Sequence, residues 1–136
     1  MPARIDSIRL PPELRRRILE HSLSRPREET CGLIGGLAGR PATYYPITND
    51  AGDRARRFLM NAEEQVDAMR RMRDAGESLL GIVHSHPDAP PLPSATDLEL
   101  ASYPDVVYVI ASLESRAPLL RAFHYDGTAF RELLLE

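Results

Sequence analysis

Cysteine, lysine and long apolar runs are scarce or missing in this sequence, and each absence excludes a class of chemistry. Cys31 is the one cysteine, which excludes an intramolecular disulfide and a cysteine-rich zinc cluster. All 17 basic residues are arginine, which excludes a lysine Schiff base and the lysine of a phosphate-binding P-loop. No apolar run approaches the roughly 18 residues of a membrane helix, and residues 1–10 carry no apolar signal-peptide segment. We therefore expect a soluble cytoplasmic protein with no membrane partner.

Length and composition limit the fold. The chain has 136 residues, of which 43% are hydrophobic, and this is enough for one packed core. We therefore expect a single domain over residues 1–136. The formal net charge of -3 argues against a nucleic-acid partner.

Strand and helix patterns alternate along the chain and predict an α/β fold, with a mixed β-sheet flanked by helices. The first predicted helix begins at residues 11–13 and ends at residues 24–26. The second lies between Asn61 and Gly76, and the third begins at Ser94 and ends before Pro104. The predicted strands span residues 5–10, 31–37, 42–47, 57–60, 79–83, 106–113, 119–125 and 130–135.

Two local patterns carry the most detail. Asn61 precedes the second helix as its N-cap, and Glu64 is placed to complete a capping box. Asp126 and Gly127 stand between the last two predicted strands and predict a hairpin turn. The predicted buried stripe of the second helix consists of Ala62, Val66, Met69 and Met72.

The most informative stretch runs from His84 to Asp97. His84 and His86 are two residues apart at the end of a predicted strand, so their imidazoles point to the same face. Ser94 and Asp97 are three residues apart in the first turn of a helix and share one side of it. Four prolines in residues 87–93 stiffen the loop between these two elements. Two imidazoles and one carboxylate, with a fourth position left for water, are the ligand set of a catalytic zinc site.

Each half of this pattern has another interpretation. A His-x-His pair occurs by chance in many chains, and a serine three residues before an aspartate is a common helix N-terminus. The combination of both halves on successive elements favours the metal site.

With these residues the sequence resembles the JAMM motif of the MPN+ metalloproteases: His84-x-His86, seven residues, Ser94, two residues and Asp97. That family also has a glutamate three residues before a glycine that opens a buried strand, and Glu29 stands in this position before Gly32. The resemblance covers nearly the whole chain. It is nearest to the short, stand-alone bacterial branch of Mec-type peptidases, which act on ubiquitin-like sulfur-carrier proteins. It therefore implies a single MPN-like domain.

The resemblance also implies a role for each residue of the motif. His84, His86 and Asp97 would hold Zn²⁺ together with a water molecule. Glu29 would act as the general base. The hydroxyl of Ser94 would donate to the tetrahedral oxyanion, and a plain N-cap of the third helix is the other interpretation of Ser94, compatible with the first.

Cys31 has two interpretations. If it shares an extended segment with Glu29, its thiol points the same way, towards the metal. The thiol could then inhibit the enzyme when oxidised or act as an adventitious metal ligand. Otherwise it is a small buried apolar residue. His21 and His124 have no partners in the sequence pattern, and we expect both to be structural.

The function implied by the resemblance is that of a zinc metallopeptidase with a small ubiquitin-like sulfur-carrier protein as its substrate. It would hydrolyse a peptide or isopeptide bond after the C-terminal diglycine of that carrier. One alternative is a phage-tail or cell-wall peptidase of the same chemistry, and another is a non-catalytic MPN binding or scaffold module. A zinc nucleoside deaminase is excluded, because it needs a Pro-Cys-x-x-Cys element and the chain has one cysteine.

Overall fold

Strands and helices alternate along residues 5–136, the part of the chain that the computed structural model describes. The helices are α1 (Pro12–Ser24), α2 (Ala62–Asp74) and α3 (Ala95–Leu100). The strands of this part of the chain are β1 (Ser7–Ile8), β2 (Cys31–Leu37), β3 (Arg40–Ile47), β4 (Ser78–His86), β5 (Val107–Ser112), β6 (Leu119–Tyr125) and β7 (Phe130–Leu135).

The strands form one mixed sheet in the order β1-β7-β6-β5-β4-β2-β3. The pairs β4–β5 and β1–β7 are parallel, and the other neighbours are antiparallel. The parallel pair β4–β5 is joined by a crossover that contains α3, as a parallel connection requires. The sequence prediction of an α/β fold with a mixed sheet and flanking helices is confirmed.

The sheet has a hydrophobic cluster on each face, because successive side chains of a strand point to opposite sides. Leu14 and Ile18 of α1 pack on one face, where Val83 of β4 is buried. Ala68 and Met72 of α2 pack on the other face, where the neighbouring residue Ile82 of β4 is buried. β4 is therefore covered on both sides, which explains its continuous apolar run.

Gly32 on β2 lies where the ring of Tyr44 approaches the strand closely. A Cβ atom at Gly32 would lie 2.4 Å from Cε1 of Tyr44, whose ring crosses the strand at this point. Tyr44 is buried in the α1 cluster, and its hydroxyl group is 2.6 Å from Nδ1 of His21. Gly32 therefore lets this ring pack directly on the strand that begins at Cys31.

Several local predictions are confirmed. The side chain of Asn61 caps α2 by accepting a hydrogen bond from the backbone N–H of Glu64 at 2.9 Å. Gly76 follows the end of α2 with a φ of 74°, in the left-handed region that favours glycine. Asp126 and Gly127 form the turn between β6 and β7.

Other local predictions are wrong. The strand predicted at 57–60 is absent from the structure, where Met60 makes a single β-bridge with Asn49. The first strand is limited to Ser7–Ile8 rather than residues 5–10. The capping box at α2 is half formed, because Glu64 accepts from the backbone N–H and hydroxyl group of Thr48 instead of returning to Asn61.

The predicted buried stripe of α2 is also wrong at two positions. Val66 is 58% exposed and Ala62 is exposed, whereas Ala68 is completely buried. Met69 and Met72 do pack on the sheet, as predicted. The face of α2 that packs on the sheet is therefore the one that carries Ala68 and Met72 rather than Val66. None of the helices in residues 5–136 is long and apolar enough to cross a membrane.

Candidate active site

The two histidines lie at the end of β4, on one face of the sheet. His84 and His86 are both buried, at 2% and 3% exposure. Their Nε2 atoms are 3.1 Å apart. The strand alternation predicted from the sequence therefore brings both imidazoles to one point.

Asp97 completes this group from the first turn of α3. Its Oδ2 atom lies 3.1 Å from Nε2 of His84 and 3.1 Å from Nε2 of His86. The same oxygen accepts a hydrogen bond from the backbone N–H of Ser94 at 2.8 Å, while the hydroxyl oxygen of Ser94 accepts from the N–H of Asp97 at 3.0 Å. This reciprocal capping box begins α3 and holds the carboxylate against the histidines.

Charge and burial shift the pKa of each member of the group. Burial acts to raise the pKa of Asp97, but the hydrogen bonds from His84 and His86 outweigh it and hold the pKa well below its usual value. Burial lowers the pKa of His84, so this imidazole is neutral near pH 7. Burial also acts to lower the pKa of His86, but its hydrogen bonds to Asp97 and to the carbonyl group of Pro90 raise it.

The three atoms fit a metal ion. Tetrahedral ligands at about 2.0 Å from an ion are roughly 3.3 Å from one another, and the three pairwise distances here are each 3.1 Å. Nδ1 of His86 donates to the carbonyl oxygen of Pro90 at 2.8 Å, so Nε2 is the nitrogen that would bind a metal after losing the proton it shares with Asp97. The donor set, the spacing and the tautomer of His86 all suit a divalent ion.

The proline-rich loop is held in place by β5. The hydroxyl group of Ser112 donates to the carbonyl oxygen of Ala89 at 2.6 Å. The backbone N–H of Leu113 donates to the carbonyl oxygen of His86 at 3.0 Å. These bonds fix the loop that presents the carbonyl of Pro90 to His86. The ring of His86 is therefore oriented from both its strand and the following loop.

Glu29 is buried just before β2, at 5% exposure. Its Oε1 atom has no hydrogen-bond partner among the described residues. Burial and the negative charge of Asp97 raise the pKa of Glu29 to about 8, although His86 opposes this shift. Glu29 also lines a cavity of about 360 Å³ between the 25–30 segment and the end of β3. A buried carboxyl group with a pKa near neutrality is suited to proton transfer.

Ser85 ties the segment that carries Glu29 to the histidine strand. It lies between the two histidines and points to the opposite side of β4. Its hydroxyl oxygen accepts from the backbone N–H of Thr30 at 2.8 Å and from the hydroxyl group of Thr30 at 3.0 Å. Glu29 is thus one residue from a buried anchor on the histidine strand.

Cys31 lies outside the histidine–aspartate group. It is completely buried, and its thiol donates to the carbonyl oxygen of Ile47 at 3.4 Å. Burial raises the pKa of the Cys31 thiol to about 12, so the thiol stays protonated. Of the two interpretations, the structure supports the small buried residue.

Three residues around the site are not predicted by the sequence patterns. Phe58 stacks on His84, with ring centroids 4.7 Å apart and planes inclined by 24°. Asn49 binds the backbone of Glu29, and Ser85 binds Thr30. Phe58 falls in the strand wrongly predicted at 57–60, and Asn49 falls in a predicted loop, where its type is common. For Ser85, the strand alternation that placed the histidines on one face already predicts a side chain on the other.

A buried His-His-Asp group at a strand end, with a buried carboxyl group on the neighbouring segment, is the arrangement of a metal-dependent hydrolase. Residues 11–124 match the family described as prokaryotic homologs of the JAB domain, and the chain belongs to this family. This confirms the resemblance to the JAMM and MPN+ proteins that the motif indicated.

Two curated relatives have named activities. A desampylase of Haloferax volcanii is 36% identical over 116 residues, which cover 84% of this chain and 81% of that protein. A CysO-cysteine peptidase of Mycobacterium bovis is 39% identical over 88 residues, which cover 62% of this chain and 59% of that protein. The second match therefore spans less than two thirds of that relative.

The fold also matches a solved structure. A JAB1/MPN domain protein from Archaeoglobus fulgidus superposes with a TM-score of 0.62 at 19% identity, over 98% of this chain and 100% of that chain. The fold is therefore MPN-like, as expected. With its family and relatives, the chain is a hydrolase of the JAMM type, and His84, His86 and Asp97 form its candidate metal site.

Proposed function

We propose that this protein is a zinc metallopeptidase that cleaves after the C-terminal diglycine of a ubiquitin-like sulfur-carrier protein. The bond cleaved is a peptide or isopeptide bond. The observation that carries the proposal is the equilateral group of His84, His86 and Asp97 at 3.1 Å spacing, with the buried carboxyl group of Glu29 on the neighbouring segment. The named activities of the desampylase and the CysO-cysteine peptidase support the substrate class.

His84, His86 and Asp97 are the residues that would hold the zinc ion. Zinc, when bound by three protein ligands, supplies a Lewis acid that activates water near neutral pH and polarises the scissile carbonyl group. The carbonyl of Pro90 orients the ring of His86, and the capping box with Ser94 orients the carboxylate of Asp97. These partners set the geometry of the ligands before any ion binds.

Glu29 is the general base of the proposed reaction. Its carboxylate takes a proton from the attacking water and later delivers that proton to the leaving amine. Its burial matches this task, because desolvation raises the pKa of a carboxyl group and so makes its ionised form a stronger base. A bound cation would stabilise the ionised form and bring the pKa down from the value in the metal-free protein.

Ser94 is the proposed oxyanion donor. Its hydroxyl oxygen accepts the N–H of Asp97 in the capping box, and its own O–H proton remains available to a second partner. The hydroxyl group therefore serves as helix cap and as hydrogen-bond donor to the developing oxyanion. The two interpretations of Ser94 are compatible.

A narrow cavity beside the site supports a glycine at the cleaved bond. It measures about 30 Å³ and touches the ligands His84 and Asp97, with Phe58, Leu100 and Tyr108 among its walls. A cavity of this size leaves no room for a large side chain beside the two ligands. A diglycine tail satisfies this limit, because glycine has no side chain to obstruct the approach to the metal.

The test uses the zinc-loaded protein and the ubiquitin-fold carriers of its own host. Each carrier is prepared with a C-terminal extension after the diglycine, and its intact mass is followed during incubation. We expect loss of the extension, with inhibition by a zinc chelator and cleavage by Glu29→Gln that is slower by roughly 10²- to 10⁴-fold. An unchanged mass for every carrier would contradict the proposed substrate. Cleavage of cell-wall peptides would then favour the peptidase alternative, and inactivity on both would favour a binding module.

A further inference from the structure

One buried amide side chain joins the proposed base to the segment that follows β3. The side chain of Asn49 donates through Nδ2 to the carbonyl oxygen of Glu29 at 2.8 Å and to that of Arg57 at 3.1 Å. Its Oδ1 atom accepts from the N–H of Ala51 at 2.9 Å and from the N–H of Leu59 at 3.0 Å. Asn49 is 8% exposed, and its two donors and two acceptor sites are all used.

These bonds fix Phe58 as well as Glu29. Arg57 and Leu59 flank Phe58, so Asn49 holds the backbone on both sides of this residue. Phe58 in turn stacks on the imidazole of His84 at 4.7 Å. A single side chain therefore connects the backbone of the base with the ring that packs on a proposed metal ligand.

The same segment also binds the other peptide group of Glu29. The N–H of Glu29 donates to the carbonyl oxygen of Arg54 at 2.7 Å. The N–H of Asp50 donates to the carbonyl of Leu59 at 2.7 Å, which closes residues 50–59 into a loop. Both sides of the base are thus held by this loop, and Asn49 is the side chain that links the loop ends to Glu29.

We propose that Asn49 is a positioning residue for the hydrolysis, which holds the carboxyl group of Glu29 in register with His84 through Phe58. This inference rests on the proposed role of Glu29 as the base. Asparagine suits the task because aspartate lacks the N–H donors and alanine lacks both donors and acceptors. A displacement of a catalytic group by about 1 Å costs on the order of 100-fold in rate. The effect of losing Asn49 therefore falls on turnover more than on substrate affinity.

The test compares Asn49→Asp and Asn49→Ala with Asn61→Ala. Asn49→Asp keeps the oxygen that accepts from Ala51 and Leu59, so the loop turn is retained while the bonds to Glu29 and Arg57 are lost. Asn61 is the matched control, since it caps α2 and binds Asp50 without touching Glu29 or Phe58. Each zinc-loaded variant is assayed for kcat, KM, zinc content, melting temperature and amide exchange at Glu29.

For Asn49→Asp we expect kcat to fall by roughly 10- to 100-fold, with KM within about twofold of wild type, one zinc retained and faster exchange of the Glu29 amide. Asn61→Ala lowers the melting temperature and leaves kcat unchanged. If Asn49→Asp unfolds or loses zinc, Asn49→Ala is read in its place. An unchanged kcat, or unchanged exchange of the Glu29 amide, in a folded variant at position 49 overturns the proposal.

The exchange measurement also separates this inference from the proposed function. If wild-type protein cleaves no carrier, the proposed substrate fails. The amide of Glu29 is bonded to the carbonyl oxygen of Arg54 in the 50–59 loop, so its exchange still reports whether Asn49 holds this loop against Glu29. An accelerated exchange then supports the positioning contact, and an unchanged exchange removes it.

Discussion

The carboxylate of Asp97 closes the capping box with Ser94 through the same oxygen that faces the two histidines. Its Oδ2 atom accepts from the N–H of Ser94 at 2.8 Å and lies 3.1 Å from Nε2 of His84. The oxygen atom that takes part in capping the N-terminus of α3 is therefore also the atom that would bind the metal. The beginning of α3 fixes the direction of the carboxylate, because the capping box permits little rotation of its side chain.

The first prediction concerns metal content. The purified protein binds about one zinc per chain, because three ligands fit one open tetrahedral site. Elemental analysis of His86→Ala and Asp97→Ala should show loss of the metal. His124→Ala is the control, since His124 lies in another part of the sheet, 3.6 Å from Asp105, and this variant keeps its zinc. Equal zinc in all four proteins would remove the proposed site.

The second prediction separates the base from the ligands. Glu29→Gln keeps the fold and the zinc but loses roughly 10²- to 10⁴-fold in kcat, the usual contribution of a positioned general base. Glu28→Gln is the matched control, because Glu28 is the neighbouring acid and pairs with Arg25 at 3.6 Å. Normal turnover by Glu29→Gln would assign the proton transfer to another group.

The third prediction concerns the two roles of Ser94. Ser94→Ala loses the helix cap, which costs about 1 kcal/mol in the free energy of unfolding. It also loses the proposed oxyanion donor, for which we expect a fall in kcat of about 10²- to 10³-fold. Ser94→Thr keeps a hydroxyl group and a cap, and should restore most of both. If Ser94→Ala is less stable but turns over normally, Ser94 is a cap without a part in the chemistry.

The fourth prediction is a pH dependence of the metal-free protein. The pKa of Glu29 is raised from 4.5 to about 8 in the folded chain, so unfolding releases its proton between these values. The unfolded state is therefore favoured as the pH rises, and the contribution of Glu29 to stability, present below about pH 4.5, is lost by about pH 8. Denaturant unfolding across this range should show a steeper decline for wild type than for Glu29→Gln. Identical pH profiles for the two proteins would contradict the raised pKa.

The fifth prediction is that Cys31 is unreactive in the native protein. The thiol is fully buried and its pKa is raised to about 12, so almost no thiolate exists near pH 8. A disulfide reagent such as Ellman's reagent should label the chain at a negligible rate in buffer and rapidly in guanidinium chloride. Rapid labelling of the folded protein would revive the interpretation of Cys31 as a redox-sensitive group.

Much of the candidate site could be predicted from the sequence because its residues obey local rules. The period of two in a strand places His84 and His86 on one face, and the helical spacing places Ser94 beside Asp97. The resemblance of the motif added Glu29, which no local pattern singles out. The proline-rich segment indicated a stiff connection, and its carbonyl at Pro90 is bonded to His86.

Local sequence patterns are sufficient to predict the spacing of the proposed ligands, the strands buried on both faces and the capping residues of α2 and α3. The contacts that hold Glu29 could not be predicted in this way, because its partners Asn49 and Arg54 are brought to it by the folding of a loop. The contact of Phe58 with His84 and the burial of Ala68 in place of Val66 were likewise decided by packing. Periodicity describes which side of an element a residue occupies, whereas hydrogen bonds between distant segments depend on how those elements pack together.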